Sequence, residues 1–503
     1  MSDVFTYSES MSSSSSAKHI FLEKELSYIT DSNSKNYSRN QVDFETVTLS
    51  NGGRWVDYKE AFISIPLVIK LTSTKDITKE DALKSVKIKN NLSLIDSCSI
   101  SYNNTNVSQE VSEIAASRIF LQHVESSVDD VTKSDSYGYV KDSPSWNYDL
   151  GVLSNNKLTT ASAQRQISPW ETSTPTTELL KTETNISESG ADYYQAGADL
   201  KTHYFMYDCR IKLKDLSPFF AQMPLVKGAN IKITLRLNQG SVETVSTASA
   251  AGPPAVAQTF SVTTSLKGSE FPLMRMMDSI VDEAKTETLS VTVGKDSSGV
   301  SHNRGECRLY TPVYVLSPQY ESQYLSQNSK TIVYEDVYIN KLRAAHSSFS
   351  HLITNGLSKT TRMLVVPNLA RDANHVSPPE SPYYSAPCSP HQTRCNLKIS
   401  GKNLYPSMVQ YSFEHYLNEI SSLGLNGGMQ RGEASGMISL KDFQSNHGYM
   451  YFDLSRRHAE DDETPLSLEI FGSIDSPKPL DLLCCVFYEK EVTIDIATGQ
   501  LIG

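Results

Sequence analysis

The sequence predicts an all-β fold made of two tandem units, with short helices and long loop insertions. Ser, Thr, Asn and Tyr are frequent, with 26 tyrosines in 503 residues, and long amphipathic helices are scarce. Ile231, Ile233, Leu235 and Leu237 alternate with Lys232, Thr234 and Arg236, the period of a half-buried strand. A pattern near the start also recurs in the second half. Val42, Phe44, Val47 and Leu49 match Ile332, Tyr334, Val337 and Ile339, each set with a parity slip. A second apolar strand ending in proline follows each, AFISIP at 61–66 and TRMLVVP at 361–367.

Residues 1–38 are polar and Ser-rich, which predicts a flexible N-terminal arm. Strands are expected at 41–49 and 57–71, with Gly52 and Gly53 between them, and at Cys98, Ile100 and Tyr102. Ile114, Ala115, Leu121 and Val124 have helical spacing. The segment at about 150–200 has no periodicity and reads as a long functional loop. Beyond Tyr204 to Leu213, Ser217-Pro218 gives a cap and a proline at the first helical position. Residues 239–268, centred on AAGPP, read as a second long loop. Strands follow at 289–293 and 307–316, then a boundary from Ser317 to Lys330. In the second half strands are expected at 331–339, 363–366, 397–399, 449–454, 466–471, 482–487 and 492–496. A Pro-rich loop is expected at 370–394 and a helix over 412–423.

The halves match in order: Pro66 with Pro367, Ile100 with Ile399, Ile114 with Phe413, Asp208 with Asp453, Ile231 with Leu466, and Leu309–Leu316 with Leu482–Tyr488. The spacing between partners shortens at each low-complexity segment, so the first half reads as the second with loops inserted. About eight short strands per half is the number needed for a jelly roll. The organisation is therefore an arm at 1–38, one eight-stranded jelly roll at 39–320 with long loops at about 150–200 and 239–268, and another at 321–503.

The net charge of -11, with no dense basic run, leaves no footprint for specific nucleic-acid binding. Seven scattered cysteines in a large chain with no secretory signal read as reduced thiols. No apolar run approaches the ~18 to 20 residues of a membrane span. Cys388, His391 and Cys395 have the residue types of a zinc site but lack a fourth ligand, so they are a weak metal candidate. Cys484 and Cys485 fall in an apolar strand and read as packing. His458 with Glu460, Asp461, Asp462 and Glu463 reads as a solvated turn, and GEASG at 432–436 is not a nucleophile elbow. No catalytic residue and no cofactor-binding motif stands out, so an enzyme is not expected.

Several segments together resemble the double jelly-roll major capsid proteins of polinton-like viruses and virophages. They are NQVDFETVTL with FISIPLVI, LIDSCSISYNN, LKDLSPFFAQMPLVKGANIKITLRLN, RLYTPVYVLSPQYESQYLS and VFYEKEVTIDIATGQ. The resemblance implies a structural protein without cofactors that forms a homotrimeric, hexon-like capsomer with six rolls in a pseudo-hexagonal block. It implies neighbouring trimers, penton proteins and minor capsid proteins as partners, and a place in the virion capsid after synthesis inside the host cell. The other reading is a β-sandwich that binds glycans or receptors, as a surface or fibre protein does, through Trp146, Trp170, Tyr193 and Tyr194.

Overall fold

The structure, a computed structural model, describes residues 20–125 and 194–502, with gaps at 34, 50–52, 79–81, 83–85, 89, 109–110, 197–199, 247–259, 265–270, 276–284, 327–328, 346, 370–392, 422–437, 441–442, 444–447, 456–463, 476–479 and 497. Its first fifteen strands are β1 (Phe21–Thr30), β2 (Gln41–Glu45), β3 (Trp55–Val56), β4 (Phe62–Ser73), β5 (Val86–Ile88), β6 (Ile95–Tyr102), β7 (Thr105–Ser108), β8 (Tyr194–Ala196), β9 (Thr202–Lys212), β10 (Ile231–Leu237), β11 (Gly240–Ser246), β12 (Phe260–Thr264), β13 (Leu273–Arg275), β14 (Lys285–Val293) and β15 (Arg308–Leu316). The remainder are β16 (Ser329–Ala345), β17 (Ser347–Leu357), β18 (Thr360–Leu369), β19 (Thr393–Ile399), β20 (Lys402–Asn403), β21 (Val409–Gln410), β22 (Met450–Asp453), β23 (Leu466–Ile474), β24 (Leu480–Asp495) and β25 (Leu501–Ile502). The α-helices among the described residues are α1 (Ile114–Glu125), α2 (Leu213–Leu216), α3 (Pro218–Gln222), α4 (Pro318–Leu325) and α5 (Phe413–Ser421).

Strand order shows the same architecture twice. In the second half one sheet runs β16-β24-β18-β22 and the other β17-β23-β19, with the short β20 and β21 both on β19. Numbering the main strands by chain order, these sheets are first-eighth-third-sixth and second-seventh-fourth-fifth, the order that two Greek keys give in a jelly roll. The first half repeats it: β1-β15-β4-β9 in one sheet and β2-β10-β6-β7 in the other. The first sheet is widened by β14, β11 and β12, which continue alongside β4 where β15 leaves it. Among the described residues no sheet mixes strands from the two halves.

The strands form where burial dictates. β10 buries Ile231, Ile233, Leu235 and Leu237 and exposes Lys232 and Arg236, as its alternation predicts. β23 has the same pattern, with Leu466, Leu468, Ile470 and Ile474 inward. β24 is one continuous strand rather than the two expected, and every residue from Leu482 to Phe487 is buried. A run buried on both faces needs cover outside its own roll.

Three expectations are corrected. Residues 21–30 are not part of a flexible arm: β1 pairs with β15 from Phe21↔Leu316 to Thr30↔Arg308 and is the first strand of its roll. It lies at a sheet edge with most side chains exposed, so FLEKELSYIT carries little apolar alternation. The strand at 41–45 is consequently the second of its roll. Its counterpart is β17, a strand that SSFSHLITNGL does not advertise, and not the one starting near Thr331. The shared parity slip has two origins, a turn after Glu45 in one half and adjacent buried Asp336 and Val337 within β16 in the other. Lastly, the expected loop at 239–268 contains β11 and β12, paired from Val242↔Thr264 to Ser246↔Phe260. Their Thr, Val and Ser content suits a polar sheet extension without apolar alternation. Residues 150–193 of the other expected loop lie outside the described residues, as does most of 370–394.

Gly472 occupies an inward position of β23, opposite Cys395 of β19. A Cβ there would strike the Arg394 carbonyl and come within 2.8 Å of the Cys395 Cα, both backbone atoms of a central strand. Gly472→Ala is expected to destabilise the protein by about 1–3 kcal/mol through overpacking, measured as a lower urea midpoint at unchanged slope.

Candidate assembly site at the seam between the rolls

α1 carries the first roll onto the second. Its sequence, IAASRIFLQHVE, is apolar on more than one face, and such a helix must be covered all round. Every residue from Ile114 to Leu121 is buried. On one side α1 packs against β6 of its own roll. On the other, the Phe120 ring lies 4.8 Å from Tyr449 and 6.0 Å from Tyr451, next to and within β22 of the second roll. A second wedge comes from α3. Ser217 accepts from the Phe219 N–H at 3.4 Å and Pro218 starts the helix, as the Ser-Pro pair predicts. The turn sets Phe219 edge-on to Tyr334 of β16 at 5.2 Å. One apolar core therefore runs through both rolls.

Polar groups continue the seam beside these rings. The Tyr334 hydroxyl donates to the Val107 carbonyl at 2.6 Å. Asp336 accepts from Ser108 Oγ at 3.3 Å and from Lys490 Nζ at 2.7 Å. Lys341 Nζ lies 3.2 Å from the Glu113 carboxylate. Glu113 has φ 61°, an uncommon backbone for a non-glycine residue, and it turns the chain into α1 while its side chain crosses to β16. A cleft of about 350 Å³ lined by Val111, Glu113, Tyr338, Lys341 and Leu483 opens beside this pair.

Two further fastenings lie near the chain connection and the C-terminal end. Trp55 Nε1 donates to Glu321 of α4 at 3.2 Å and meets Tyr324 edge-on at 5.1 Å. Trp55, Leu225, Leu316 and Ile496 form a small separate core there. Asn103 Nδ2 donates to the Gly499 carbonyl at 2.7 Å. Gly499 has φ 66° and its Cα lies so close to residues 227–229 that a Cβ would come within 3.0 Å of the Ala229 nitrogen.

The residues singled out for chemistry are not brought together here. Cys395 is fully buried on β19, and burial pushes its thiol up to about 12. Cys388 and His391 lie outside the described residues, as do His458, Glu460–Glu463 and the GEASG stretch. Cys484 and Cys485 are buried packing residues of β24; burial raises both thiols, Cys484 to about 12. Thiols held un-ionised in this way are poor nucleophiles and poor metal ligands. Among the described residues no group of three or more His, Cys, Asp or Glu is placed to hold a metal ion. Trp146, Trp170 and Tyr193 lie outside the described residues, and Trp55 is a core residue.

The outer edges of the rolls differ from the seam. Leu22, Leu26 and Tyr28 of β1 are at least half exposed, as are Val333 of β16 and Leu352 of β17. Among the described residues no strand pairs with the outer edge of β1. Exposed apolar side chains on open strand edges favour contact with another chain.

The sequence matches no protein-family model and no curated protein. Among solved structures, the chain is similar to the mavirus major capsid protein, with a TM-score of 0.51 and 10% identity over 98% of this chain and 92% of that one. The Faustovirus major capsid protein is matched at a TM-score of 0.47 and 10% identity, over 95% of this chain and 92% of that one. The mavirus likeness carries the fold: a double jelly roll, the same conclusion that the strand order gives independently.

Phe120→Ala is expected to cost about 3–5 kcal/mol, because it opens a cavity shared by both rolls. Tyr334→Phe removes one hydrogen bond and leaves the Val107 carbonyl with Lys490, so about 1 kcal/mol is expected. Urea unfolding followed by tyrosine fluorescence and far-UV circular dichroism measures both, and equal losses for the two variants would contradict a ring-centred seam.

Proposed function

We propose that the chain is the major capsid protein of an icosahedral virus, a structural protein without catalytic activity. The observation that carries the reading is the repeated jelly-roll order in one chain whose two rolls share a single core, together with the similarity in fold to the mavirus major capsid protein. A tile in a closed shell must keep its shape under load from all sides. Two rolls joined by buried aromatic rings, rather than by a loose linker, make such a tile.

The finer reading is a homotrimer, in which six rolls give a pseudo-hexagonal block that tiles the shell. A closed threefold ring needs a heterologous contact between one surface and a different surface of the next subunit. The open edge of β1, where Leu22, Leu26 and Tyr28 stand exposed among charged residues, and the exposed faces of β16 and β17 are suited to such contacts. Trimers would then meet one another, penton proteins and minor capsid proteins through weaker surfaces, so that wrongly placed tiles can leave. The net charge of -11 suits a shell that leaves genome condensation to other proteins. Synthesis and assembly inside a host cell complete the proposal.

Light scattering on the purified protein, followed by negative-stain imaging of the same peak, tests this. A mass three times that of the chain and a hexagonal outline are expected. A particle that stays monomeric on concentration overturns the trimer.

A further inference from the structure

Arg118 stands in the middle of α1, 3% exposed, and none of its three guanidinium nitrogens has a hydrogen-bond partner among the described residues. A guanidinium does not shed its proton in a protein, so it cannot escape burial by becoming neutral. An unpaired buried charge is among the most unfavourable states a core can hold.

The neighbouring charges do not answer it. Asp336 is the acid whose field acts most strongly on Arg118, but its carboxylate is already engaged by Lys490 and Ser108. Glu125, two helical turns along the same face of α1, attracts Arg118 without a hydrogen bond to it, and burial pushes its own carboxyl up. Arg362, the other cation nearby, adds repulsion, and is itself paired with Glu335 and set over the Phe487 ring at 4.7 Å. Cys98 and Cys485 lie within electrostatic reach and are buried, and burial holds the Cys485 thiol well above its ordinary range.

We infer that Arg118 holds a small inorganic anion of the halide class, chloride under ordinary conditions, inside the seam between the two rolls. The guanidinium is planar and presents paired, parallel N–H donors, and two of them can grip a spherical anion from one side. Cys98 and Cys485 beside it are at most 1% exposed, and a single-atom ion needs less room in such a core than a phosphate. The ion neutralises the charge that the first roll carries into the seam and so links the stability of the joined rolls to halide concentration. This inference does not depend on the capsid reading, since it concerns only the packing of α1 between the rolls.

Thermal unfolding of the full chain in sodium chloride, against sodium gluconate at equal ionic strength, tests it. Tm is expected to rise with chloride along a single-site curve, by about 1 to 2 degrees per tenfold increase above Kd. Arg118→Met, which keeps the length of the side chain without its charge, is expected to lose that dependence. Equal Tm in the two salts, or an unchanged chloride response in Arg118→Met, overturns the inference. Should that variant not fold, a bromide-soaked crystal of the wild-type protein decides by anomalous scattering: a peak beside the Arg118 guanidinium supports the site, and a protein carboxylate in that place overturns it.

Discussion

The structure depends on one constraint: the first-eighth-third-sixth sheet of the second roll is too apolar to face water on either side. Met363 to Val366 of β18, Met450 to Asp453 of β22 and Leu482 to Phe487 of β24 are buried without alternation. One face of that sheet closes its own roll, so the other must be covered from outside. α1, α3 and α5 supply that cover, and two of these belong to the first roll. The same requirement explains why α1 is buried along its length from Ile114 to Leu121, and why Glu113 accepts an unfavourable backbone to launch the helix at the right place. Removing the outside cover would leave aromatic and aliphatic rows in water, a loss far larger than any one polar contact at the seam.

How much of this could be read from the sequence follows burial. Strands with one buried face, such as β10 and β23, were visible through strict alternation, and the order of matches from Pro66 and Pro367 onward is the order in which equivalent strands stand in the two rolls. The long strands not visible were β1 and β17, the outermost of their sheets, and β11 and β12 in the extension; most strands of two to four residues, β7 among them, were not visible either. Such strands are held mainly by backbone hydrogen bonds, which leave no side-chain pattern. Missing one edge strand in each half also shifted the first match by one strand, setting the second strand of one roll against the first of the other.

The seam was less legible than the rolls. The helical spacing of Ile114, Ala115, Leu121 and Val124 was its only sequence signal, and that says a helix is covered without saying by what. Arg118 gave none: an arginine four residues into a helix is ordinarily a solvated side chain whose stem lies along the surface. Only the placement of α1 between two rolls turns it into a buried charge. The candidate trio of Cys388, His391 and Cys395 shows the converse, because residue types at plausible spacing carry no information about depth, and Cys395 proves to be a core thiol.

The pairing of β1 with β15 sets a schedule for biosynthesis. Phe21 meets Leu316, so the first strand to leave the ribosome waits while nearly the whole first roll is translated before its partner exists. At ~5–20 residues per second this is a delay of roughly 15 to 60 seconds. Throughout it Leu22, Leu26 and Tyr28 are displayed on a nascent chain beside other nascent chains of the same kind. Crowded polysomes would then bring together open edges capable of pairing wrongly, and the yield of folded chain would rest on chaperone capacity as well as on the strength of the finished fold.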